Sequence, residues 1–206
     1  MSRHDDHKQA SAWFEEFYKA NYLNDTSIPW AKMRPNEHLN EYLQNNLPHG
    51  KALVVGCGLG DDAVALREAG FDVTAIDVSP SAIAWCEERF EGYGIEFKVQ
   101  DIFELPSEML GAYDFVFESL TIQSLPLIFR DKVITAIASL LSPEGRLLVV
   151  ANGKNPGEKY QGPPWPLEMN EVKLFTNKNM RELEFSILED PFKLSTLKFK
   201  ALYQKQ

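Results

Sequence analysis

Three glycines and a set of carboxylates are the residues in this chain whose types and spacing could do chemistry. Gly56, Gly58 and Gly60 stand in the stretch KALVVGCGLGDD, residues 51–62, with Cys57 between the first two. Glycines at such a break let a ligand approach the backbone where side chains would block it. Their spacing is G-x-G-x-G, not the G-x-G-x-x-G of a dinucleotide turn. Asp61 and Asp62 follow at once. Acids there suit the start of a helix but repel a pyrophosphate docking on the same amides. Asp77 ends the next apolar run, and an acid at that point can take the two hydroxyls of a ribose. Asp101, further on, can accept a hydrogen bond from the exocyclic amine of a base or cap its own loop. Together these residues ask for a nucleoside with a cationic, phosphate-free tail.

S-adenosylmethionine is such a ligand, since its sulfonium and amine outnumber its carboxylate. On glycine spacing alone, a turn that binds nothing or binds NAD stays open. Other chemistry finds little support. Cys57 and Cys86 have neither metal-ligand spacing nor a disulfide framework, so no metal site is expected. His4 and His7 fall in the N-terminal tail, His38 on a helix and His49 before a strand. Glu118, at the end of an apolar run, is the one well-placed candidate base. It reads better as a cofactor or structural residue, so no catalytic residue is assigned.

The chain has 206 residues, 44% hydrophobic and 25% charged, with a net charge of −9. That is an ordinary globular composition. The negative balance argues against a broad nucleic-acid surface, which needs clustered Lys and Arg. No apolar run reaches membrane-spanning length, and MSRHDDHKQ lacks a signal-peptide core. The expectation is a cytoplasmic protein with a small-molecule partner, no nucleic acid and no membrane. The oligomeric state is not legible.

The elements that must position these residues follow from periodicity. Residues 1–10 are expected to be loosely attached. Helical spacing starts at Ser11 and puts Trp13, Phe14, Phe17, Tyr18 and Tyr22 on one face. That face suits a core-facing helix or an aromatic lid. Residues 24–35 hold Ile28-Pro29-Trp30 and Arg34-Pro35 and predict an extended arm. A helix over 36–46 turns Leu39, Tyr42 and Leu43 inward. Then strands over 52–55, 71–77, 95–99, 113–117 and 146–151 alternate with helices over 63–69, 79–90 and 126–141, and residues 142–145 form a turn. Residues 152–166 have no periodicity and hold Trp165 between prolines, a functional or flexible loop. A short helix over 168–175 and a hairpin of 183–189 and 194–203 across 190–193 complete the chain. The fold class expected is α/β. It is a doubly wound, Rossmann-like seven-stranded sheet, mostly parallel, with a C-terminal antiparallel hairpin and an N-terminal helical cap. One domain over 1–206 is expected, with residues 1–50 as cap and arm and 51–206 as core.

GCGLGDD followed by AIDVSPSAI resembles motif I and the ribose-binding segment of class I S-adenosylmethionine-dependent methyltransferases. Beyond that core, IPWAKMRPNEHL, ESLTIQSLP and QGPPWPL are similar to the thiopurine and halide/thiol methyltransferase group. The resemblance implies methyl transfer to a small, mostly apolar acceptor with a soft nucleophile, such as a thiol or halide. It implies Trp30 against the cofactor and Arg34 near its methionyl end. Gly56, Cys57, Gly58 and Gly60 would line the methionyl moiety, and Asp62 would take its amine. Asp77 would bind the ribose, with Val78, Asp101 and Ile102 around adenine and Glu118 near the methyl-bearing end. Two departures stand out. Many class members carry an acid two residues before the first glycine, where this chain has Val54; and Trp165 falls where subgroup members vary. In the subgroup both arm and loop fold over the carboxyl edge of the sheet. That implies an acceptor site closed by Trp13, Phe17, Trp30 and Trp165 above Glu118. The rival readings are a cofactor-binding module without turnover and an NAD-dependent oxidoreductase. The paired acids and the terminal hairpin count against the second.

Overall fold

The computed structural model describes residues 5–24, 27–46, 50–189 and 197–206. Helix α1 spans Asp5–Ala20 and α2 Glu37–Asn45. Strand β1 (Lys51–Val55) leads through the glycines into α3 (Asp61–Ala69), then β2 (Asp72–Asp77), α4 (Pro80–Arg89) and β3 (Glu96–Val99). The second half has β4 (Tyr113–Ser119), α5 (Arg130–Ser139), β5 (Leu141–Gly153), α6 (Met169–Val172), β6 (Met180–Glu189) and β7 (Leu197–Lys205). The strands form one seven-stranded sheet in the order β3-β2-β1-β4-β5-β7-β6. Pairs β1–β2, β2–β3 and β4–β5 are parallel, while β5–β7 and β6–β7 are antiparallel. The mostly parallel sheet with a terminal antiparallel hairpin is the expected fold. The chain divides into two compact units, Met1–Leu105 and Pro106–Gln206, and each is described by itself.

In the first unit β1 is a continuous apolar run because strands covered on both faces need no alternation. Ala52 to Val55 are all buried. Helix α3 ends where Gly70 adopts φ 107° and turns its N–H back to the carbonyls of Leu66 and Arg67, a left-handed cap that glycine adopts without strain. Ser79 caps α4 through its hydroxyl, which accepts from the Ala82 amide, with Pro80 in the first turn. Helix α1 begins six residues before the expected start. DDHKQA holds neither Gly nor Pro, so nothing in the backbone stops the helix from running back to Asp5. It docks on α4. The Glu15 carboxylate accepts from Ser79 Oγ at 2.6 Å, Ser81 Oγ at 2.8 Å and the Ser81 amide at 3.0 Å. Burial would raise the Glu15 pKa, but these hydrogen bonds hold it below the ordinary range.

In the second unit two boundaries differ from expectation. Residues 126–141 do not form one helix: a 3-10 turn, Leu127–Phe129, precedes α5. Pro126 is extended at ψ 146°, and Arg130 bonds the carbonyl of Ile122, which bends the chain before the helix can begin. The turn expected at 142–145 is a bulge inside β5. Pairing with β4 jumps from Tyr113↔Leu141 to Phe115↔Arg146. Glu144 has φ 63°, and a Cβ on Gly145 would lie 2.9 Å from the carbonyls of Ser142 and Tyr113. Strand β6 alternates weakly because it is the outer strand; Leu183 and Ile187 are 40% and 51% exposed. The expected hairpin connection at 190–193 lies outside the described residues.

Candidate functional site

In the first unit the glycine turn is braced from both sides. Gly56, Gly58 and Gly60 have φ of 64°, 54° and 86°, values that L side chains rarely adopt. A Cβ on Gly58 would meet the Tyr18 hydroxyl at 3.1 Å, and one on Gly60 would meet Cys86 Sγ at 3.0 Å and Phe90 at 3.1 Å. The space that the missing side chains leave at Gly58 and Gly60 is therefore used by the protein itself. Cys86 Sγ also donates to the Gly58 carbonyl at 3.1 Å. The neighbouring Cys86 thiol and burial push the Cys57 thiol up, which makes it a packing group rather than a nucleophile.

The acids divide by what they already hold. Asp61 pairs with Arg89 at 2.9 Å, and Arg89 also bonds the Leu59 carbonyl. Asp62 Oδ1 accepts from the Asn36 amide at 2.6 Å, tying the arm to the start of α3. Asp77 is 9% exposed; its Oδ1 accepts from the Ser79 amide and its Oδ2 from the Gly58 amide, each at 3.0 Å. Burial raises Asp62 and Asp77 to about 6 each, against the backbone hydrogen bonds. Asp101 Oδ1 caps its own loop at the Phe103 amide, 2.8 Å away. Val78 and Ile102 are half-buried and Arg34 is exposed.

The arm and α1 bring together the aromatic residues expected there. Trp30 donates from Nε1 to the Tyr18 hydroxyl at 2.7 Å. Its ring centroid lies 5.0 Å from Phe17, 5.8 Å from Tyr18 and 6.0 Å from both Trp13 and Phe14. Trp13 keeps 42% of its surface exposed, while Tyr18 keeps 2%. Tyr18 was not singled out by sequence, although it shared the helical face. It joins Trp30 to the glycine turn, and burial with the nearby Asp77 charge raises its hydroxyl well above the ordinary range.

The second unit holds a buried polar network around the end of β4. Glu118 is fully buried; its Oε1 accepts from the Thr121 amide at 2.7 Å and the Ile122 amide at 3.0 Å. Its Oε2 has no hydrogen-bond partner among the described residues. Arg130 donates to the carbonyls of Ile122 at 2.6 Å and Trp165 at 3.1 Å, and to Glu171 at 3.1 Å. Gln123 holds the same loop: its carbonyl accepts from the Trp165 amide and its Oε1 from the Asn152 amide, each at 2.7 Å. Trp165 borders a cavity of about 370 Å³ together with Leu127, Lys154, Glu158, Tyr160 and Pro166. Arg130 and Gln123 escape sequence reading because neither stands in a chemical motif: Gln123 lies between the strand expected over 113–117 and the helix over 126–141, and Arg130 lies within that helix.

A family profile described as thiopurine S-methyltransferase (TPMT) matches residues 14–202, across both units. The chain belongs to the thiopurine S-methyltransferase family. The ubiquinone biosynthesis O-methyltransferase of Bordetella avium is 28% identical over 152 residues, covering 71% of this chain and 58% of that protein. Thiocyanate methyltransferase 1 of Arabidopsis thaliana is 26% identical over 148 residues, covering 69% of this chain and 63% of that protein. The chain thus spans about three fifths of the length of these relatives. Among solved structures, the Burkholderia thailandensis 1,6-didemethyltoxoflavin-N1-methyltransferase superposes with a TM-score of 0.75 at 18% identity, covering 97% of this chain and 90% of that one. This last likeness concerns the fold. As a thiopurine-family member the chain is placed where the resemblance of its motifs had put it, among class I S-adenosylmethionine-dependent methyltransferases.

Proposed function

We propose that this chain transfers the methyl group of S-adenosylmethionine to a small, mostly apolar acceptor with a soft nucleophilic atom. The observation that carries the reading is the glycine turn pinned by Asp77 in a chain of this family. The donor set fits the cofactor. Asp62, Asp77 and Asp101 offer acceptors for an amine, ribose hydroxyls and adenine, and Arg89 is already paired with Asp61. A pyrophosphate would find carboxylates instead of cations there.

When bound, the cofactor supplies an electrophilic methyl on a sulfonium. The chain holds it: Gly56, Cys57, Gly58, Gly60 and Asp62 take the methionyl end, with Arg34 near its carboxylate. Asp77 takes the ribose, Val78, Asp101 and Ile102 take adenine, and Glu118 serves the methyl-bearing end. Trp30 would lie against the cofactor, where its ring face would favour a cation. Trp13, Phe17 and Trp165 serve the acceptor, excluding water and bulky partners. Methyl transfer is an in-line displacement, so alignment and dryness supply most of the catalysis. An acceptor that is already an anion, such as a halide, needs no base. Among the described residues no helix is long and apolar enough to cross a membrane, and no cluster of His, Cys, Asp and Glu could hold a metal.

Calorimetric titration with S-adenosylmethionine and with NAD, followed by a panel of thiols, halides and small aromatic acceptors, tests the reading. Binding of the first cofactor alone with turnover on a small acceptor is expected. Binding without turnover on any acceptor leaves the non-catalytic module in its place.

A further inference from the structure

We propose that Glu118 is a catalytic residue for acceptors that arrive as neutral thiols, its Oε2 taking the S–H proton as the sulfur attacks. This rests on the methyl-transfer reading above. Glu118 lies next to the last residue of β4 and is fully buried. Two amides, of Thr121 and Ile122, fix its Oε1, while Oε2 has no partner among the described residues. A buried acceptor left without a donor costs about 1–3 kcal/mol, more when charged. A fold keeps such an atom where a ligand donor or a mobile proton satisfies it. The anchored Oε1 holds the carboxylate still, so Oε2 is the oxygen free to change its proton.

The electrostatics suit that task. Burial raises Glu118 to about 7, against the two amides and the positive charge of Arg130. Arg130, on α5, is the charged group that acts on it, and Glu171 of α6 balances Arg130 in turn. A carboxylate titrating near 7 can accept a proton from a thiol of ordinary pKa, about 8.5, at neutral pH. The step balances. The acceptor's sulfur forms a bond to the methyl carbon, and the bond from that carbon to the sulfonium sulfur breaks with its electron pair. The thiol proton passes to Oε2 and leaves to water afterwards. The products are two neutral thioethers and a carboxylic acid. Iodide carries no proton and makes no use of this oxygen.

The test compares kcat of the full chain on ethanethiol and on iodide across the neutral pH range. The ethanethiol rate is expected to rise with pH through a group titrating near 7, and the iodide rate to lack that limb. Glu118→Gln should remove the limb and lower the ethanethiol rate by about 10²–10⁴-fold, a fall at least tenfold larger than that on iodide. The same limb on both acceptors, or equal losses on both, overturns the proposal and makes Glu118 a cofactor or structural residue. If Glu118→Gln does not fold, the contrast between acceptors in the unmodified protein decides alone. Absence of turnover on both acceptors and on the wider panel above overturns the methyl-transfer reading, and this proposal with it.

Discussion

On the proposed reading Asp77 is the residue on which cofactor binding turns, and it would carry two duties. As the last residue of β2 it carries the acid expected to take a ribose. Its two oxygens also hold the Gly58 amide and the Ser79 amide, so it sets the shape of the turn as well. Each carboxylate oxygen has two lone-pair sites, which leaves room for ribose hydroxyls beside the amides. Asp77→Ala removes both functions. Hydrogen bonds to a charged group are worth about 1.5–3 kcal/mol each. S-adenosylmethionine affinity is expected to fall by at least about tenfold, with a lower unfolding midpoint, both read by calorimetry. Unchanged affinity in a folded Asp77→Ala protein contradicts the assignment.

Among the elements, the Pro-rich loop after β5 has the most to explain. A stretch of this composition predicts either function or flexibility, and sequence cannot choose. The structure ties its end down. Trp165 gives its amide to the Gln123 carbonyl and its carbonyl to Arg130, both of which are buried. A Cβ on Gly162 would lie 2.3 Å from the Trp165 ring, so the indole packs flat on the preceding backbone. Trp165 is a fixed wall of its cavity. Trp165→Ala keeps the backbone bonds and removes the wall. Turnover on the best small acceptor is expected to fall roughly 10²-fold, the cost of about 1 Å of misplacement, while cofactor affinity measured by titration stays near that of the unmodified chain. Equal activity, or faster turnover on a protein or nucleic acid, points to an open site.

For the molecule as a whole, three buried acids set the pH dependence of stability. Asp62 and Asp77 are raised to about 6 and Glu118 to about 7, chiefly by burial. Between their ordinary values and these raised ones the folded chain binds more protons than the unfolded chain. Stability from these groups therefore falls as pH rises from about 4 to 7. Glu15, Glu96, Glu158 and Glu168 are lowered, and their contribution is lost only as pH drops below the ordinary carboxylate range. The net charge of −9 adds self-repulsion in the same direction as the buried acids. The ligand-free protein should melt at a lower temperature at pH 7.5 than at about pH 5, and Glu118→Gln should flatten that slope. A Tm that climbs steadily over this window argues against the burial of these acids.

The sequence by itself determined the alternation of strands and helices, the place of the glycine turn, and the acids around it. These are local signals. An apolar run four to six residues long, a left-handed cap at Gly70 and a Ser-Pro helix start each follow from the chain's own sterics. Only the tertiary structure decided what those residues hold. Asp62 reads as free for an amine, yet one of its oxygens caps the arm at Asn36, a partner 26 positions away. Tyr18 reads as one more aromatic on a helical face, yet it joins Trp30 to the turn beside Gly58. Arg130 falls inside the helix expected over 126–141 with no motif around it, yet it is 5% exposed and clamps Trp165. Hydrogen-bond partners of buried polar groups depend on which distant segments meet, and a carboxylate or guanidinium carries no mark of its partner in its own neighbourhood.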